Sequence, residues 1–71
     1  MRDIVRSHYL IKIVYLLKLV RELKGISQQS LANQMGVSKQ TISLWERNEV
    51  LPSKDNLERW MNTLIEAKEE I

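Results

Sequence analysis

Apolar residues recur along this chain at helical spacing. Leu31 and Met35 stand four apart, Ile42 and Trp45 three apart, and Leu57, Trp60, Met61, Leu64 and Ile71 follow a period near 3.6. Such intervals line one face of an α-helix. The pattern predicts four helices, over about 5–24, 28–35, 39–47 and 54–69. The breaks between them carry their own signals. Gly36 follows Met35, where a helix ends and the backbone often turns left-handed, a conformation glycine adopts at little cost. Ser27, Ser38 and Ser53 stand where N-caps are wanted, Pro52 ends the last loop, and Asp55 suits the first turn of the last helix. Ala32 is small where the helices at 28–35 and 39–47 would cross closely.

The first helix departs from this simple pattern. Residues 9–23 are almost continuously apolar, broken by Lys12, Lys18, Arg21 and Glu22. Ile13, Leu17 and Val20 could face a core, with Leu16, Leu19 and Leu23 as an adjoining stripe and Ile11 and Tyr15 outside both. A membrane span is not expected, because the run falls short of the ~20 apolar residues needed and holds charges. Arg2 and Arg6 precede the run as in a signal peptide, but no small-residue cleavage site follows. The apolar arc is wider than one small core can cover. It suggests a partner surface, most simply a two-fold homodimer using Ile11, Tyr15, Leu19 and Ile71. The alternative is an unusually thorough core within one chain.

Composition narrows the class. Seventy-one residues make one domain at most, here taken as 1–71 with an N-terminal extension over 1–15. A core of that size is marginal unless helices pack efficiently or the chain self-associates. Two glycines, one proline and 44% hydrophobic residues suit an all-α chain. The absence of cysteine excludes disulfides and thiolate metal sites, and His8, the single histidine, cannot make a His-rich one. His8 reads as an exposed helix residue. No cofactor is expected. An enzyme is not expected either, since no nucleophile–base pair, carboxylate cluster or Gly-rich phosphate loop is visible.

The net charge is only +2, but it is unevenly distributed. Residues 1–47 hold eight basic and three acidic side chains, a net of +5, and residues 48–71 hold three and six, a net of −3. That asymmetry would orient the molecule on a polyanion. Within the positive part, Gln40, Ser43, Leu44 and Arg47 are spaced i, i+3, i+4, i+7, roughly opposite Ile42 and Trp45, with Lys39 beside them. Their chemistry suits a DNA groove. Gln pairs with adenine through two hydrogen bonds, Lys reaches guanine acceptors, and Leu covers a thymine methyl.

The run QQSLANQMGVSKQTISLWER at 28–47, with Pro52 and Ser53 beyond it, resembles the Cro and phage-repressor (lambda-repressor-like) type of helix-turn-helix domain. Gln28, Leu31, Ala32, Gly36, Val37, Ser38, Ile42, Trp45 and Glu46 carry the resemblance, which covers about 16–64. It implies a compact four-helix all-α fold, here with an extended N-terminal helix, and double-stranded DNA as partner. It also implies that Lys39, Gln40, Ser43 and Leu44 face the bases and that Gln28 bonds a phosphate from a helix start. A merely solvated Gln28 is the alternative. Ser38, Thr41, Arg47 and Asn48 are further phosphate candidates, although Thr41 and Asn48 could equally serve the local backbone. Trp45 and Trp60 are expected in the core, and Glu46 is expected to pair with a basic residue of the domain.

Three positions depart from the family pattern. Ser30 replaces a frequent Glu, which weakens the capping box of the first helix of the pair. Asn48 replaces the usual glycine, but Asn tolerates a left-handed backbone. Glu49 and Val50 occupy a loop that is often basic, where a carboxylate repels phosphate. The resulting expectation is a sequence-specific transcriptional regulator. It would be a dimeric repressor from a phage, plasmid or other mobile element, acting on an inverted repeat in the bacterial cytoplasm. The alternative is a protein-interaction module on the same fold, such as an antitoxin or anti-repressor.

Overall fold

Three of the four helices open on a serine that does the same job. The computed structural model describes residues 2–68, with side chains from His8 onward. Its order is α1 (Arg2–Leu23), α2 (Gln28–Met35), α3 (Lys39–Glu46) and α4 (Lys54–Glu66). The hydroxyls of Ser27, Ser38 and Ser53 accept the amides of Ser30, Thr41 and Asn56 at 3.0, 3.0 and 3.1 Å. Each satisfies one of the donors that a helix start leaves free. Ile71, expected at a dimer interface, lies outside the described residues.

Three helices also end alike. Beyond α1, α2 and α3 stands a residue with positive φ: Gly25 (73°), Gly36 (71°) and Asn48 (61°). The next amide returns to a carbonyl five residues back, Ile26 to Arg21, Val37 to Ala32 and Glu49 to Leu44, each at 3.0 Å. This closure ties off the last carbonyls of a helix and needs a left-handed residue. Asn48 thus takes the role glycine has at the other two turns.

The core is one cluster of Val14, Ile26, Leu31, Ala32, Met35, Ile42, Trp45, Trp60 and Leu64, with Leu17, Val37, Leu57 and Ala67 packed against it. Trp45 and Trp60 stack with ring centroids 5.5 Å apart. α2 crosses α3 and α4, and α1 lies across α3 and α4. Ala32 is fully buried at the centre, as a close crossing of α2 and α3 requires. Cationic side chains close two helix ends from a distance. Lys24 donates to the carbonyls of Leu64, in the last turn of α4, and of Ala67, just past it, and Arg59 donates to that of Met35 at the end of α2.

Two expected faces are corrected. α1 turns Val14, Leu17 and Arg21 inward rather than Ile13, Leu17 and Val20; Val20 is 38% exposed. The cause is Arg21, which reaches Glu46 only with that face inward. On α4 the buried stripe is Leu57, Trp60 and Leu64, and Met61 falls at its edge, 40% exposed. Residues 8–13 of α1 bury no side chain in the core, and the molecule measures 41 × 20 × 19 Å. No helix among the described residues is long and apolar enough to cross a membrane.

Candidate nucleic-acid interface

α2 and α3 form the helix pair whose outer surface holds the expected contacts. Ile42 and Trp45 anchor α3 inward at 0% and 3% exposure. On its other side Lys39 and Gln40 are exposed, and Ser43 and Leu44 are half-buried. The four therefore form one outward strip along a two-turn helix. Leu44, on the flank next to the core, offers its side chain only in part.

The last turn of α3 carries a buried charged cluster. The Arg21 guanidinium grips the Glu46 carboxylate with two bonds, Nε to Oε2 at 2.7 Å and a terminal nitrogen to Oε1 at 3.0 Å. A third donor of Arg21 reaches the carbonyl of Ile26 at 2.7 Å. Both side chains are almost wholly buried. Gln28, at the start of α2, donates from Nε2 to Glu46 Oε1 at 2.9 Å. Glu46 is thus paired with a basic residue of the domain, as expected, and it also orients Gln28. Gln28 is half-buried, and its amide nitrogen carries a second hydrogen beyond the one given to Glu46.

The remaining phosphate candidates flank α3, with Ser38 and Thr41 at its start and Arg47 and Asn48 past its end. The Ser38 hydroxyl caps α3 and lies 2.8 Å from that of Thr41. Asn48 serves its turn through its backbone, donating to the carbonyl of Trp45 at 3.1 Å. Arg47 is exposed, and its Nε lies 2.9 Å from Glu49 Oε2. Of the dimer candidates, Ile11 and Tyr15 are exposed and Leu19 is half-buried.

Sequence reasoning missed two partnerships. It assigned Arg21 no role, although a lone Arg within an apolar run is the kind of residue that enters a core only with a counter-ion. It treated Glu49 as a repulsive neighbour of phosphate but not as the mate of Arg47.

A protein-family model described as helix-turn-helix matches residues 17–68, well over half of the chain. Neither the curated proteins nor the solved structures gave a significant match. The matched region spans the last third of α1, both helices of the pair and all of α4. The chain belongs to the helix-turn-helix family of lambda-repressor and Cro-like domains, and is a DNA-binding transcription regulator of that type whose partner is double-stranded DNA.

Proposed function

We propose that this regulator is a dimeric, sequence-specific repressor, of the compact kind carried by phages, plasmids and other mobile elements in bacteria. What carries the reading is the outward strip of Lys39, Gln40, Ser43 and Leu44, set back to back with the buried Ile42 and Trp45. α3 enters the major groove with its N-terminal end leading. Gln40 pairs with adenine through the two ends of its amide, Nε2 donating to N7 and Oε1 accepting from N6, Lys39 reaches guanine O6 and N7, and Leu44 packs on a thymine methyl. Gln28, Ser38, Thr41, Arg47 and Asn48 hold the backbone on either side and set the angle of entry without reading sequence.

One such helix covers only a few base pairs. Two copies, with reading helices about 34 Å apart, address an inverted repeat on one side of the duplex. The exposed apolar surface of α1 supports association of two chains. Bound across a promoter, the dimer blocks polymerase.

In-vitro selection from a random DNA pool tests this reading. A palindromic consensus is expected. Gln40→Ala and Leu44→Ala should each lower affinity for that consensus by about 1–3 kcal/mol and leave binding to unrelated DNA unchanged. A pool that yields no preferred sequence, or variants that bind the consensus undiminished, would remove specific reading by this strip. A reporter promoter carrying the consensus should fall silent when the protein is supplied; a rise in transcription would make it an activator.

A further inference from the structure

The free side of α1 carries a second pattern that DNA binding does not use. Tyr9, Leu16 and Leu23 recur at intervals of seven and are 64%, 59% and 75% exposed. Lys12 and Leu19 fall between them at the positions that complete a heptad seam, with Tyr15 and Val20 on its flanks. The opposite face of the same helix, Val14, Leu17 and Arg21, is the one held by α3 and α4. Beside Val20 the apolar surface continues onto α4 through Met61 and Ile65, which is 74% exposed. A patch this continuous is larger than scattered surface residues explain, and its seven-residue repeat matches a helix rather than a groove or a loop.

Charge selects the occupant. α1 holds a cation at the N-terminal end of the seam, Lys12, and an anion at its C-terminal end, Glu22. Both are exposed, and neither has an ion-pair partner among the described residues. A second copy running parallel would set Lys12 against the partner's Lys12 within the seam, two like charges in contact. A copy running antiparallel sets Leu16 against the partner's Leu19 and brings Lys12 alongside the turn that carries the partner's Glu22. Two-fold symmetry makes each of these contacts twice.

We infer that the stretch Lys12–Leu16–Leu19–Leu23 of the seam binds the same stretch of a second copy in antiparallel orientation, with Lys12 and Glu22 setting the direction. This rests on the dimeric reading above and adds the surface and its polarity. The two domain bodies then lie on opposite sides of the helix pair, because each is attached to the face of α1 turned away from the seam.

Sedimentation equilibrium of the full chain at 1–50 µM (about two decades of concentration) tests the pairing. The unaltered chain should be dimeric. Lys12→Glu and Glu22→Lys should each weaken the dimer about tenfold, because each turns two attractions into two repulsions. The double variant carrying both changes should return to within about threefold of the starting affinity. Leu16→Asp should give a monomer with unchanged helix content, since Leu16 is not part of the core. A chain that is monomeric throughout overturns the dimer and this pairing together. A dimer that ignores both charge reversals, or is not restored by the double change, overturns the antiparallel seam and leaves the dimer standing.

Discussion

The guanidinium of Arg47 lies 2.9 Å from the carboxylate of Glu49, just past the end of α3. Both side chains are more than half exposed. An exposed pair of this kind contributes about 0–1 kcal/mol to stability. On the proposed reading its larger effect is on binding, since it neutralises a cation proposed to meet a phosphate. Glu49→Gln should therefore raise affinity for all DNA sequences, by up to roughly tenfold at 0.1 M salt, and steepen the salt dependence by about one unit of log–log slope. Filter binding over a salt series measures both. An unchanged slope would mean that Arg47 does not touch the backbone.

The buried pair behaves differently. Arg21→Ala or Glu46→Ala strands a charge inside the domain and should cost about 3–5 kcal/mol. For a chain of this size that is a large part of the whole stability. Replacing both together, Arg21→Met with Glu46→Leu, should cost much less than either single change. Urea unfolding gives the three values. If the double variant is as unstable as the singles, the loss lies in packing or in the Arg21 bond to the Ile26 carbonyl rather than in the stranded charge.

Much of the fold was legible because it is local. A capping serine, a left-handed turn residue and an apolar spacing of three or four are each decided within about five residues, and α2, α3 and α4 follow from them. α1 could not be read that way. Its apolar residues surround the helix, so periodicity offered several faces, and the choice was made by a contact between residues 21 and 46. The site divides along the same line. The outward strip on α3 follows from the inward placement of Ile42 and Trp45. The engagement of Gln28 by Glu46, and of Arg47 by Glu49, depends on which side chains the folded chain brings within reach.

Gly36 offers a test of backbone strain alone. Its φ is +71°, and a Cβ added there would meet nothing within 4 Å. Gly36→Ala should cost about 1–2 kcal/mol, all of it conformational. Asn48→Gly, at φ 61°, should change stability by less than about 1 kcal/mol and in the favourable direction. Denaturation midpoints at equal slope would report both. A larger loss at Gly36 would require a contact that the folded chain does not show.

Ser38 has two proposed duties that can be separated. Its hydroxyl caps α3, and it stands among the phosphate candidates. Ser38→Ala should cost about 1 kcal/mol of stability, whereas Ser38→Gly should cost only a few tenths. Both remove the hydroxyl. If Ser38 bonds a phosphate, both variants lose DNA affinity equally; if only the cap matters, the Gly variant binds as the unaltered chain does.

The position of Arg21 along α1 has one more effect. A long helix coated with leucine, valine and isoleucine could slide by a turn against a greasy surface and lose little, because one branched hydrocarbon replaces another. A guanidinium that finds its carboxylate at a single place removes that freedom. The sliding helix would have to leave both ions dry and alone. The charge therefore acts as a detent, and the distance from α3 to the exposed side of α1 is the same in every copy.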